Sequence, residues 1–322
     1  MLLSEGMQRG AAARCLCQGF ETGAPAHAVL VLGEDGTGKR TLMNACAQSL
    51  FCEAGENKPC GVCAPCRRFA AGSHPDVHRI ARKKSVGVDE VRDLTAALQV
   101  APYEGGYKAA IIEDAGAMTA QAQNCLLKTL EEPPEKTVFL LAASSESKLL
   151  ATILSRCMIV RLSPFTEEKV CDILRAQGAP EERAAQLAAL SGGSVGRALA
   201  MMNDESFWAL RARADGALCG VRGPETVLSA LNALKDDKPN AAAVCEMLES
   251  TLSEAMRREA GTGYRDASGW AQALSGADMA SLARLLLDVS NLRRMLAGNV
   301  SWQAALERFL FRYSEEQKKW RQ

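Results

Sequence analysis

The chain has 322 residues, more than one compact hydrophobic core ordinarily organises, so two or three domains are expected. Its 38 Lys and Arg balance 38 Asp and Glu, and 48% apolar with 24% charged residues is ordinary for a globular protein. That balance excludes a whole-molecule field or a basic tail as the source of nucleic-acid binding, and it disfavours a tight, independent DNA binder.

From the start, MLLSEGMQRG lacks the charged, apolar and small-residue regions of a secretory signal, and no run of about 18 uncharged apolar residues occurs anywhere. A cytoplasmic protein is expected. Residues 28–33, AVLVLG, form a continuous apolar run ending in glycine, which suits a buried parallel strand. A helix is predicted from about Gly38 to Leu50. Val77–Ile80, Ala109–Ile112, Val138–Ala142 and Met158–Leu162 repeat the strand pattern. Helical stripes lie between them, at Val88, Val91, Leu94 and Leu98 and at Ala122, Cys125, Leu126 and Leu130. This alternation predicts an α/β fold built on a doubly wound parallel sheet. After Pro164 the strands stop and amphipathic helices follow, broken by Gly178-Ala179-Pro180, Gly192-Gly193 and the turn near Asp236. Stripes at Met279, Leu282, Leu285, Leu286 and Val289, and at Ala305, Leu306, Phe309, Leu310 and Tyr313, mark two late helices. The expected domains are 1–163, 164–204 and 205–322.

Three patterns carry chemistry. Gly33-Glu34-Asp35-Gly36-Thr37-Gly38-Lys39 follows a strand and opens a helix, the context a phosphate loop requires. Gly33, Gly36, Thr37 and Gly38 let backbone amides face phosphate oxygens, and Lys39 adds a charge. Ser or Thr should come next to hold magnesium; Arg40 stands there instead. Thr41 is one residue late, about 100° around the helix. The acidic pair that completes such a site is Glu113-Asp114, in reversed order, with each side chain a methylene wrong in length. The departures fall on the metal, so hydrolysis is not expected; ATP or ADP binding stays open. The plain alternative is an inherited turn that needs its glycines.

Cys52, Cys60, Cys63 and Cys66, four of twelve cysteines, are spaced C-x7-C-x2-C-x2-C, as in a closed structural Zn2+ site. An iron–sulfur cluster or simple free thiols are the alternatives. Cys46, Cys125, Cys171 and Cys245 read as small apolar residues on helices. Arg79, Arg82, Lys83 and Lys84 form the best basic patch, either touching nucleic-acid phosphates or a solvated loop.

With the segment 102–108, the run from Ala122 through Leu126-Leu127-Lys128-Thr129-Leu130-Glu131-Glu132-Pro133-Pro134, and Ser155-Arg156-Cys157, the chain resembles the AAA+ subunits of bacterial clamp loaders. The resemblance runs from His27-Ala28, where His27 reads as structural, to Asn299-Val300. It implies an AAA+ domain with a zinc module at 52–66, a helical lid and a helical collar that assembles a five-membered ring. It also implies that Arg156 is an arginine finger, reaching the phosphates of an adjacent subunit; a helix-capping arginine is the alternative. The family's ATPase members, gamma and tau, carry an intact Gly-Lys-Thr or Gly-Lys-Ser, an Asp-Glu pair and a lid arginine two residues after Gly-Ser. Here Gly38-Lys39-Arg40, Glu113-Asp114 and Gly193-Ser194-Val195-Gly196-Arg197 all depart while Arg156 remains, the pattern of the delta prime branch. Implied partners are gamma or tau, delta, the sliding clamp and, through the complex, primed DNA, with no membrane. An active clamp-loader ATPase or another AAA+ ATPase is the alternative; a zinc-dependent DNA-binding module is a third reading.

Overall fold

The computed structural model describes residues 3–103, 106–261 and 269–320. Glu104 and Gly105, within the 102–108 segment, lie outside them. The chain divides into two compact units, Met1–Pro164 and Phe165–Gln322.

The first unit runs α1 (Leu3–Gly6), α2 (Ala11–Glu21), β1 (Ala28–Leu32), α3 (Lys39–Phe51), α4 (Ala64–Ala70), β2 (Val77–Ile80), α5 (Val88–Gln99), β3 (Lys108–Ile112), α6 (Ala120–Glu131), β4 (Thr137–Ala143), α7 (Ala151–Leu154) and β5 (Met158–Arg161). Its five strands pair in parallel in the order β2-β3-β4-β1-β5. Since successive residues of a strand face opposite sides, each central strand feeds two cores. Val29 and Val31, Ala109 and Ile111, and Val138, Leu140 and Ala142 pack with Leu16, Phe20, Leu42 and Met43 of α2 and α3. Leu30 and Leu32, Ala110 and Ile112, and Phe139, Leu141 and Ala143 pack with Val91, Leu94, Leu98, Leu126 and Leu130 of α5 and α6. Continuous apolar strands are therefore what a sheet covered on both faces demands, and the doubly wound fold expected from the pattern is present.

Strand ends differ by a residue from the expectation: β1 and β5 stop before Gly33 and Leu162, while β3 and β4 start one residue earlier. The helix expected from Gly38 begins at Lys39, because Gly38 has φ 87° and ψ 15°, a left-handed conformation outside any α-helix. The periodicity reading found neither α2 nor α4, although α2 buries Ala13, Leu16, Cys17 and Phe20.

The second unit is helical: α8 (Glu167–Ala176), α9 (Glu181–Ser191), α10 (Val195–Met202), α11 (Glu205–Gly220), α12 (Pro224–Leu234), α13 (Ala241–Glu259), α14 (Gly269–Ala273), α15 (Met279–Ala297) and α16 (Trp302–Trp320). Two apolar clusters divide it. Val170, Leu174, Leu187, Ala198 and Met201 join α8, α9 and α10; Leu210, Leu231, Leu248, Leu285, Phe309 and Tyr313 belong to a larger cluster spanning α11 to α16. The α16 stripe is wholly buried, whereas Met279 of the α15 stripe is exposed at the helix start. No helix of the described residues is long and apolar enough to cross a membrane.

Leu140 is fully buried between β1 and β3. Leu140→Ala should lower stability by about 2–5 kcal/mol, read as a shift in the urea-unfolding midpoint, while Val100→Ala, at an exposed position just after α5, should stay within about 0.5 kcal/mol. Equal shifts for the two would show that the sheet interior is not the stabilising core.

Candidate functional site

The glycines between β1 and α3 take the backbone where side-chained residues rarely go: Gly33, Gly36 and Gly38 have φ of 157°, 81° and 87°. At Gly33 a Cβ would sit 2.8 Å from the Leu162 carbonyl, so the close approach of the β5 end also requires glycine. The amides of Gly36 and Gly38 meet no acceptor among the described residues, as in a loop shaped for an anion. Thr37 is buried, with its hydroxyl donating to the Glu34 carbonyl at 2.8 Å. Arg9, which the sequence did not single out, braces the loop from outside by donating to the carbonyls of Thr37 at 2.9 Å and Ser163 at 2.8 Å.

Lys39 is 8% exposed. Its ammonium donates to the carbonyls of Gly33 at 2.5 Å and Glu34 at 2.8 Å and lies 3.6 Å from Asp35. Burial holds its pKa below the ordinary lysine value, offset in part by Asp35. Thr41 lies on the exposed side of α3, so its hydroxyl is no substitute for the missing one at position 40.

The acids that follow β3 are already occupied. Glu113 is 7% exposed and accepts from Arg79 at 2.8 Å and from the Arg82 amide at 3.2 Å, while the Arg40 guanidinium lies 3.4 Å away. Burial alone would raise its pKa; Arg79, the Arg82 amide and the Arg40 charge together outweigh that and lower it. Arg82 pairs with Asp35 at 2.6 Å and approaches Asp114 at 3.7 Å. The hydrogen bond from Arg82 holds the Asp35 carboxyl below its usual range. Two members of the basic patch thus belong to the surroundings of the phosphate loop, Lys83 pairs with Glu90 at 2.5 Å, and Lys84 is exposed. Nothing in the linear order pairs position 79 with 113 or 82 with 35; the parallel pairing of β2 with β3 brings the first two together, and Arg82 reaches Asp35 in the loop after β1.

Arg156 stands elsewhere. Because β1 and β5 run parallel in the register Val29↔Met158 to Leu32↔Arg161, Gly33 leaves the carboxyl end of the sheet while Arg156 enters at the amino end, level with His27. The intervening strand separates them by roughly 20 Å at about 3.3 Å per residue, far beyond an arginine's reach. Arg156 pairs with Glu131, donates to the Thr152 carbonyl at 2.9 Å and the Ser155 hydroxyl at 3.1 Å, and lines an open depression of about 520 Å³ with His27, Leu130, Glu131 and Ser155. In the second unit, Ser194 caps α10 by accepting from the Arg197 amide at 3.2 Å, and Arg197 pairs with Glu246 of α13 at 3.0 Å.

The four cysteines converge. The sulfurs of Cys52, Cys60, Cys63 and Cys66 all lie within 4.8 Å of one another, close to the separation of about 3.8 Å across a tetrahedron of 2.3 Å metal–sulfur bonds. Cys52 follows the last residue of α3, Cys66 lies on α4, and Gly61 at φ 75° turns the chain between them. Backbone amides donate into the cluster, Cys60 to the Cys52 Sγ at 3.3 Å and Cys63 to the Cys60 Sγ at 3.4 Å. Amides of Cys63 and Val62 bring the Cys60 thiol down to about 6, and burial pushes Cys66 up to about 12. Such a set of soft donors, closed on all four sides, is able to hold one metal ion. Cys46 and Cys245 are buried in helices, with Cys125 and Cys171 partly so.

A family profile described as "DNA polymerase III, delta subunit" matches residues 8–166. The chain is similar to DNA polymerase III subunit delta' of Haemophilus influenzae, 41% identical over 170 residues; the match spans about half the length of each, 52% of this chain and 52% of that protein. It is similar to subunit tau of Escherichia coli, 36% identical over 230 residues, 69% of this chain but 34% of that protein. Subunit delta' of Escherichia coli is 34% identical over 253 residues, 76% of this chain and 74% of that protein. That extent of shared sequence, on a parallel sheet whose first strand opens into a phosphate loop, means that the chain belongs to the delta prime family of DNA polymerase III clamp-loader subunits, within the AAA+ class.

Proposed function

We propose that the chain is a non-hydrolysing member of the clamp-loader ring that supplies Arg156 to the ATP held by an adjacent gamma or tau subunit. In this reading the ring, completed by delta, opens the sliding clamp and places it on primed DNA. The observation that supports it most is the polarity of the sheet: Arg156 lies at the end opposite the chain's own phosphate loop, which favours a role toward phosphates on another molecule. A planar, permanently charged fork stabilises charge spreading over a transferred phosphoryl group. Glu131 and the Thr152 carbonyl hold that fork at the rim of an open depression. No step is assigned to magnesium at the chain's own loop, because Arg79 and the Arg82 amide already occupy Glu113 and position 40 offers no hydroxyl.

The helical unit supports a division into a lid, residues 164–204, and a collar, residues 205–322, since its two apolar clusters part near Asp204, whose side chain caps α11. Zinc is the metal best suited to the sulfur cluster, where a closed shell leaves no position for water and gives the ion a folding role.

In a complex whose other ATPase sites are inactivated, Arg156→Ala should lower clamp- and DNA-stimulated turnover at the adjacent subunit by about 10³-fold or more, with normal incorporation of the variant. Arg156→Lys should rescue little, because one ammonium replaces a fork. Unchanged turnover would sink the finger, and magnesium-dependent turnover by the isolated chain, abolished by Lys39→Ala, would favour an ATPase in its own right. For the cluster, elemental analysis should find one zinc per chain and Cys63→Ser should lose it together with thermal stability; a purified wild-type chain with well under one equivalent would reject the zinc assignment.

A further inference from the structure

The phosphate loop is whole while its magnesium site is filled by the protein's own cations. Mg2+ demands near-octahedral oxygen ligands and in such folds takes a hydroxyl after the loop lysine and a carboxylate from the neighbouring strand. Here the hydroxyl position bears Arg40, whose guanidinium reaches to 3.4 Å of Glu113. The same oxygen, Oε1, accepts from Arg79 while Oε2 accepts from the Arg82 amide, and Arg82 approaches Asp114. Magnesium does not fit this set: the Glu113 oxygens are taken and three guanidinium charges, those of Arg40, Arg79 and Arg82, stand against it.

What remains fits a polyanion. The amides of Gly36 and Gly38 have no acceptor among the described residues, Lys39 rests on the carbonyls of Gly33 and Glu34 beside them, and Arg40 and Arg82, though paired with Glu113 and Asp35, have side chains 59% and 51% exposed. We propose that this loop takes the phosphates of a nucleoside di- or triphosphate as the free polyanion, with Arg40 in the place of the divalent cation. Metal-bound nucleotide is the poorer ligand, because it carries a second cation into space the guanidinium occupies. Bound nucleotide is then a structural tenant of the ring member and is not turned over. This rests on the non-hydrolysing reading of the loop but is independent of Arg156.

The test is titration calorimetry of ADP and ATP into the full chain in resin-treated, magnesium-free buffer and again with millimolar magnesium, avoiding chelators that would strip the sulfur cluster. Binding without magnesium should be as tight as or tighter than binding with it. Arg40→Ala should weaken the magnesium-free affinity at least tenfold and Arg40→Lys should restore most of it, both with an unchanged thermal melt, and Lys39→Ala should abolish it. Affinity tenfold higher in magnesium, an unaffected Arg40→Ala, or no heat of binding under either condition would overturn the proposal. Turnover by the chain alone would overturn the non-hydrolysing reading as well, whereas silent calorimetry leaves the role of Arg156 untouched.

Discussion

Everything in the first unit depends on β1 being buried on both faces between two parallel neighbours, β4 and β5. A strand so placed has no free edge and no wet face, so its direction fixes which chemistry appears at which end. The glycine turn must emerge at the carboxyl end, where helix amides are available to an anion. The segment that feeds β5 must lie at the amino end, and Arg156 rides on it. Separation of the phosphate loop from Arg156 is thus a property of strand direction rather than of any special loop.

The fold was largely legible because covering a parallel sheet on both sides leaves unbroken runs such as Val29 to Leu32 and Val138 to Ala142, and because helices covering it repeat apolar residues every three or four positions, as from Val91 to Leu98. α2 carries the spacing of an amphipathic helix, Ala13, Leu16, Cys17 and Phe20, but two of those four are the small residues Ala and Cys, which are easily passed over as apolar markers. The cysteine cluster was legible since two-residue spacers restrict where sulfurs can go. The contacts of Glu113 were not: Arg79 and the Arg82 amide lie 34 and 31 positions away and meet it through the pairing of β2 with β3, and Arg40 reaches it from the start of α3.

Helix α3 links the two polar centres of this unit. Its first turn follows the left-handed Gly38 and carries Lys39 and Arg40, and its last residue, Phe51, precedes Cys52. Apolar contacts of Leu42, Met43, Ala45 and Cys46 with the sheet fix the middle. The sulfur cluster closes one end and the phosphate loop the other, so the helix is restrained along its whole length instead of fraying at its termini.

The double occupancy of Glu113 has a bearing on how such a chain could change over generations. A threonine arising at position 40 would remove one cation and return a hydroxyl, yet Arg79 would still grip the acid and the Arg82 amide would still face it. Recovery of a metal shell needs at least two coordinated replacements, each without benefit on its own. If the chain is the non-hydrolysing ring member proposed above, this arrangement guards that role against simple reversion.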